Sequence, residues 1–596
     1  MELLVRRPDT GYIDNNLWVP KNAVNVEGAK RALTFQFSDK REIVLLTLYK
    51  EAEHHLIVPR EFWQTGDFQF PIVDCRPRRY QRVDIRSNIQ LDYTLEHGAL
   101  VPTGDHVQEE AMARLLKTRG GILQLACGKG KTVVALDYIA RRGVPAIIIL
   151  DTTQLMEQWQ SAIERFLDVP GGVGLIQGDV FDWQKPIVLA TYHTLAARAA
   201  TMPEHVRRWF GVAVWDEAHH VAAPMFSRSA DLFYGVRLGL TATPDRDDGM
   251  HVVYNFHLGP VFYKNLTQDL TPRIYFVWTG TGLNMEDPAV KLACNDVNGE
   301  MHIGKVAGHL GRVPARIDKV LDQVRQAVAA DRKVIILSKS VDALVNMLTV
   351  WNGQRPDLIS DIMFPTASEV NELVPPCELS DAQIESLHKQ WHILDKSTAG
   401  KNPLVVQTDL HKKALIEQAL EAHRVFKKCE TLWNKLRAHY LKELLAQPSN
   451  AGLMIRKVSA KVRAKLLKER QVTFAIAKYG REGLDEPSLN TIIVNEPLSS
   501  RNSLQQLMGR VLRKNGTDIE RVVVFLEDDI GPFIGMCKIL RKHLSEWPAD
   551  EGGPFEYENI GYSLASILSR RKGPSWKNNT STTFMNRRTT IRAPGS

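Results

Sequence analysis

Paired cysteine is the first thing missing from this chain of 596 residues. Its six cysteines (Cys75, Cys127, Cys294, Cys377, Cys429, Cys537) are scattered, with no CxxC pair. That argues against a disulfide framework or a structural zinc and fits a reducing compartment. No apolar run approaches the length needed to cross a bilayer. The first residues, MELLVRRPDTGY, have no apolar signal core, so a soluble, cytoplasmic protein with no membrane partner is expected. No repeat recurs at a fixed solenoid period, and no nuclease-like carboxylate cluster stands out. What is present is ordinary for a globular protein, 44% apolar and 24% charged. A net charge of +8 suits a polyanionic partner and serves solubility equally well. One core cannot serve this length, so two to four domains are expected.

Residues 1–100 mix short β-like runs at 32–37 and 43–49 with a basic stretch at 76–82. They predict a small N-terminal β-containing domain with a basic edge. Over 101–270, continuous apolar runs such as 146–150, 187–190 and 212–215 alternate with helical patterns, as in an α/β domain whose parallel sheet is covered on both faces. After a linker at 271–311, a second alternating domain occupies 312–351 and 451–545. The block 352–450 does not alternate. Its stretch 410–445 is helix-periodic, rich in Lys, Arg and aromatics and free of Pro and Gly, and predicts a basic helical insertion in the second domain. The tail, 546–596, carries seven Lys or Arg and no acid from residue 570 onward, and is expected to be partly disordered.

Chemistry first shows at Cys127-Gly128-Lys129-Gly130-Lys131-Thr132, which follows an apolar run and opens a helical one. Glycines at 128 and 130 let backbone N–H groups turn inward around phosphate oxygens, and a helix N-terminus adds positive potential. Lys131 would reach the β- and γ-phosphates of ATP, and the Thr132 hydroxyl would bind Mg²⁺. The strict pattern has Gly at 125, where this chain has Leu. Downstream, an apolar strand runs into Asp216-Glu217-Ala218-His219-His220. On a strand adjoining that of the phosphate loop, Asp216 would hold the magnesium. Glu217 would orient and deprotonate the attacking water, and His219 would couple the nucleotide site to the neighbouring lobe. Far along the chain, Gln506-Leu507-Met508-Gly509-Arg510-Val511-Leu512-Arg513 can present two guanidinium groups to a γ-phosphate. Those charges act only when two lobes close. Arg510 and Arg513 are the expected arginine fingers, with Gln506 assisting the water.

In this order the blocks resemble superfamily 2 helicases. Asp216-Glu217-Ala218-His219 is similar to motif II, Gly239-Leu240-Thr241-Ala242-Thr243-Pro244 to motif III, and Glu482-Gly483-Leu484-Asp485 to motif V. Gln506 to Arg513 has the QxxGRxxR form of motif VI, and Leu155-Met156-Glu157-Gln158-Trp159 is similar to the helix after motif Ia. The resemblance covers about 105–265, 312–350 and 452–530, and implies two tandem RecA-like domains. Cys-Gly-x-Gly-Lys-Thr and Arg246-Asp247-Asp248 are most similar to XPB-like DNA repair helicases and UvsW-like phage helicases, with Asp247 where the XPB relatives have Glu. The resemblance implies adenine recognition by Gln108 and a nucleotide site that includes Cys127, Gly128, Lys129, Gly130 and Asp485. It lays a nucleic-acid strand along Thr152, Gln158, Thr191, Arg246, Ser338 and Gly483, by phosphate contacts that carry no sequence information.

The implied function is an ATP-dependent DNA helicase or translocase. It would remodel duplex, forked or branched DNA in repair, recombination or replication, in a bacterial or phage-infected cell. A protein partner would dock through the N-terminal domain or the insertion. Two other readings stay open: an ATP-gated scaffold subunit of a defence or recombination complex, and an RNA helicase. Trp159 reads as a core residue at the lobe surface, the alternative being a stack on a base. Lys412, Lys413, Arg424, Lys427, Lys428, Lys435 and Arg437 of the insertion read equally as a DNA contact and as a solvated face.

Overall fold

The computed structural model describes residues 6–39, 42–62, 70–96, 99–223, 225–242, 250–267, 270–280, 287–295, 299–353, 381–398, part of 413–444, 449–456, 458–478, 486, 488–498, 500–511 and 520–560. Strands without a polar position, such as Ala146–Leu150 and Val212–Trp215, are buried along their whole length, because helices cover both faces of their sheet. Successive side chains feed opposite faces. Ile148 and Val214 join one core with Val134, Leu136 and Ile139 of the helix Lys131–Arg142. Ile147, Ile149, Ala213 and Trp215 join another with Tyr192 and Phe233.

The first sheet has eight strands in the order Val180–Phe181, Val173–Gln177, Ile187–Thr191, Ala146–Leu150, Val212–Trp215, Val236–Thr241, Gly121–Leu125 and Val261–Asn265. Only Val180–Phe181 runs antiparallel to its neighbour. The order corrects one expectation. The acidic-box strand does not adjoin the phosphate-loop strand, because Val236–Thr241 lies between them and pairs with both.

The second sheet has seven strands, all parallel, in the order Ala451–Met454, Val472–Ile476, Val334–Ser338, Thr491–Val494, Val522–Glu527, Arg273–Trp278 and Tyr557–Ile560. It therefore takes in one strand from the stretch read as a linker and one from the stretch read as a tail. Parallel strands need crossovers, so Arg273–Trp278 finds its partners far along the chain, where local patterning cannot point to them. Helices Pro314–Ala329 and Val341–Trp351 cover one face, and Arg501–Val511 and Gly531–Ser545 the other. Inside, Arg316 donates from Nε and Nη2 to Asp528 at 2.8 and 2.9 Å and from Nη1 to Asn495 Oδ1 at 2.9 Å. The strand order gives the chain two tandem RecA-like lobes.

The N-terminal strands Lys50–Glu51, His55–Pro59, Asn16–Pro20, Gly11–Ile13 and Ile72–Asp74 form a five-stranded sheet in that order. The runs read at 32–37 and 43–49 become the antiparallel hairpin Thr34–Asp39 and Glu42–Thr47. This domain sits on the first lobe. Phe62 meets Phe256 edge to face at 5.0 Å, and Asn15 Nδ2 donates to the Asp231 carbonyl at 2.6 Å. In the insertion, Asp381–Thr398 is helical, Lys413 pairs with Asp395 at 2.6 Å, and Arg424 lies 3.5 Å from Glu421. Lys412, Lys427, Lys428, Lys435, Arg437 and the tail beyond 560 lie outside the described residues. Among the described residues no helix is long and apolar enough to cross a membrane.

Candidate active site

The phosphate loop leaves the buried strand Gly121–Leu125 and enters the helix Lys131–Arg142 through two left-handed glycines, Gly128 at φ 88° and Gly130 at φ 83°. Gly130 is needed for space as well. A Cβ there would lie 2.4 Å from Gln108 Nε2. Gln108 Nε2 donates to the Lys129 carbonyl at 3.4 Å, and its Oε1 accepts from the Asp92 amide at 3.0 Å. Asp92 returns the contact, accepting from the amides of Gln108 and Glu109 at 2.8 and 3.0 Å and so capping the helix Val107–Thr118. Lys129 turns away from the loop centre and pairs with Asp105 at 2.6 Å. Lys131 Nζ donates to the Leu125 carbonyl at 3.0 Å. Neither Asp92 nor Asp105 carries a motif signal. Only the fold brings them to the loop.

Asp216 ends the strand Val212–Trp215 and is held from three sides. Trp159 Nε1 donates to its Oδ2 at 2.8 Å, the Glu217 amide to its Oδ1 at 3.0 Å, and the Tyr192 hydroxyl to its backbone carbonyl at 2.9 Å. Trp159 is thus a core residue, 2% exposed, and its ring faces a carboxylate rather than a base. Burial, with the Glu217 charge second, pushes the Asp216 carboxyl up to about 6, against the Trp159 hydrogen bond and the Lys131 charge. Glu217 follows in the left-handed region at φ 47°, a conformation that costs energy for a residue with a Cβ and that re-aims its carboxylate. His219 Nδ1 lies 3.5 Å from Glu217 Oε2, and its ring lies 4.4 Å from that of His220.

These groups open on a cleft of about 580 Å³ lined by Cys127, Gly128, Gly130, Lys131, Thr132, Gln158, Asp216 and Glu217 from the first lobe. The second lobe contributes Ala464 and Leu467 of the helix Ala460–Glu469, together with Glu486. The Thr132 hydroxyl and the Asp216 carboxylate are hard oxygen donors on one cleft, beside a lysine that suits phosphate, so the residues fit Mg²⁺ with a nucleotide. From the second lobe, the helix Arg501–Val511 brings Gly509 against Cys127, with the half-buried Gln506 one turn before it. Of Arg510 only the helical backbone is described, and Arg513, Asp485, Gly483 and Arg246 lie outside the described residues.

The side chains expected along nucleic acid are placed differently from one another. Thr152 and Thr191 follow or end paired strands and cap the next helices, accepting from Leu155 N at 3.2 Å and Thr194 N at 3.3 Å. Gln158 lines the cleft itself. Ser338 is wholly buried, and its hydroxyl donates to Glu496 at 2.7 Å.

Similarity to known proteins covers part of the chain. Residues 102–246 match the family model described as "Type III restriction enzyme, res subunit". The DNA 3'-5' translocase XPB2 of Sulfurisphaera tokodaii is 38% identical over 164 residues, which are 27% of this chain and 36% of that one. The general transcription and DNA repair factor IIH helicase/translocase subunit XPB of Encephalitozoon cuniculi is 34% identical over 169 residues, 26% of this chain and 25% of that one. The DNA 3'-5' helicase XPB of Mycobacterium tuberculosis is 30% identical over 155 residues, 25% of this chain and 28% of that one. The match thus spans about a third or less of these relatives' own lengths. The chain is therefore similar over about a quarter of its length to helicases and translocases of the XPB kind, and over residues 102–246 to restriction-enzyme res subunits.

Proposed function

We propose that this chain is an ATP-dependent DNA helicase or translocase that closes its two lobes on ATP and uses that closure to move on or remodel duplex, forked or branched DNA. One observation carries the reading: a single cleft is lined by Lys131, Thr132, Asp216 and Glu217 from one lobe and by Glu486 from the other. We place the chain on the DEAH-box branch through Asp216-Glu217-Ala218-His219, near the UvsW-like phage helicases through Cys127 to Thr132, and in the cytoplasm.

In this mechanism the phosphate-loop amides and Lys131 hold the triphosphate, Lys131 exchanging the Leu125 carbonyl for phosphate oxygen. Thr132 and Asp216 would hold Mg²⁺, which when bound neutralises charge on the β- and γ-phosphate oxygens. Glu217 takes the proton of the attacking water, His219 steadies that carboxylate, and Gln506 orients the water. Arg510 and Arg513 bring positive charge from the second lobe to the γ-phosphate, so hydrolysis waits for closure. Gln108 reads adenine, and Asp485 completes the nucleotide site. Ser338, wholly buried on Glu496, lies out of the strand's reach, while Thr152, Gln158, Thr191, Arg246 and Gly483 follow the sugar-phosphate backbone without reading sequence. The two capping threonines do so through the helix N-termini that they close.

The test is ATP hydrolysis by the purified chain with duplex DNA, forked DNA or RNA added. Stimulation by DNA above RNA is expected, and no hydrolysis under any condition would overturn the reading. The match to a res-subunit family motivates a second reading, a gated subunit of a larger complex. Nucleotide binding without translocation, and a protein that co-purifies stably, would favour it.

A further inference from the structure

The helix Arg501–Val511 meets the first lobe directly at one end and through Glu551 at the other. Toward its C-terminus, Gly509 abuts Cys127 of the phosphate loop. Toward its N-terminus, Arg501 Nη2 and Gln505 Nε2 lie 3.8 and 3.4 Å from Oε2 of Glu551. The other oxygen of the same carboxylate, Oε1, lies 3.3 Å from Nζ of Lys264, on the edge strand Val261–Asn265 of the first lobe. One side chain therefore touches the motif VI helix and the opposite lobe together.

Glu551 stands in the short turn Ala549–Glu551, between the helix Gly531–Ser545 and the strand Tyr557–Ile560, outside every motif. The turn is stiff. Trp547 and Phe555 pack ring against ring at 5.1 Å, and a Cβ on Gly553 would strike Trp547 at 2.5 Å. Glu551 is 5% exposed, and a carboxylate so placed requires partners. A purely structural glutamate would draw all of them from its own lobe. This one draws a cation from each, and Lys264, at 46% exposure, loses little solvation in answering. Lobe opening separates Lys264 from Glu551 but carries Arg501 and Gln505 along with it. In this arrangement the ion pair spans the two lobes.

We propose that Glu551 is a positioning residue, an inter-lobe latch through which Lys264 holds the arginine-finger helix over the phosphate loop. This rests on the reading that ATP is hydrolysed between the lobes. A half-exposed pair biases the open–closed balance rather than locking it. Its loss should slow the step that needs closure and weaken nucleotide binding only as far as binding is coupled to closure.

The test uses the full chain as wild type, Lys264→Glu, Lys264→Gln, Glu551→Lys and the exchanged double variant. Three quantities are measured: kcat for DNA-stimulated hydrolysis, Kd for a fluorescent non-hydrolysable ATP analogue, and the distance between one dye on each lobe with that analogue bound. Lys264→Glu should lower kcat about tenfold, weaken Kd by no more than about the same factor, and lengthen the distance. The exchanged pair should recover the distance and most of the rate. Wild-type distance and rate in Lys264→Glu would overturn the latch, as would an exchanged pair no better than its worse single variant. If Glu551→Lys fails to fold, Lys264→Gln decides, by the same loss of distance and rate or by its absence. The distance reads the latch even in a chain that hydrolyses nothing, so a silent wild-type ATPase would strike the proposed function instead.

Discussion

Gly509 and Cys127 come from opposite lobes and leave no room for a methyl group between them: a Cβ on Gly509 would lie 2.5 Å from Cys127 Cβ and 2.7 Å from its Sγ. Gly509 is therefore a spacer that sets how near the helix Arg501–Val511 can come to the phosphate loop. Gly509→Ala should force the lobes apart and lower kcat by about tenfold or more. The unfolding temperature should barely move, since neither lobe's core is touched. Cys127→Ser should not rescue it, because the contact is with the Cβ that serine keeps. Steady-state hydrolysis beside thermal unfolding checks both points.

The Trp159–Asp216 hydrogen bond has a pH signature. Asp216 sits at about 6 rather than the ordinary 3.8, chiefly because it is buried. The group is charged above that value, so kcat/KM for ATP should hold above pH 6 and fall as pH drops through it. Trp159→Phe removes a donor to a charged acceptor, a loss of roughly 1.5–3 kcal/mol, and leaves the neutral acid favoured further. The acid limb should move to higher pH. A pH–rate profile with an unmoved limb would contradict the assignment. The sign for stability is opposite: between 3.8 and about 6 the folded chain binds more protons than the unfolded one, so this group's contribution falls as pH rises through that window.

The chemistry of the site was more legible in the sequence than its surroundings. Phosphate loop and acidic box are short and contiguous, so the residues that line one cleft could be named directly, and runs such as 146–150 announced a sheet covered on both faces. Strand order could not be read, because patterning fixes a strand's faces and says nothing of its neighbours. Hence Val236–Thr241 was not foreseen between the two catalytic strands, nor Arg273–Trp278 in the second sheet. Supporting groups were hidden for a similar reason. Trp159 gave a helix-periodic apolar signal, and nothing local shows that its N–H meets a carboxylate 57 positions on. Asp92, 16 positions before Gln108, looks like any turn aspartate.

Asp92 holds the start of the helix that carries Gln108, the residue proposed to read adenine. Asp92→Ala leaves two helix amides uncapped and should cost about 1 kcal/mol, seen as a lower unfolding temperature. Gln108 Oε1 keeps its bond from the backbone amide of residue 92, so the preference for ATP over GTP should narrow only through the loosened start of the helix that carries Gln108. A variant with wild-type stability and wild-type nucleotide preference would rule out this role.

Stability of the second lobe should depend on Arg316, fully buried against Asp528 and Asn495. Asp528→Ala strands a buried guanidinium and should cost roughly 3–5 kcal/mol. Replacing both partners by apolar residues of similar size should cost far less. Urea unfolding of the single and double variants separates these outcomes.

The motor reading stands or falls on Lys131. ATP hydrolysis by wild type and Lys131→Ala should be measured side by side, with and without forked DNA. The expected result is a wild-type rate that rises with DNA and a variant rate near background in both conditions, each chain folding alike by circular dichroism. A variant that keeps the DNA-stimulated rate of wild type would show that the phosphate loop is not where ATP is broken.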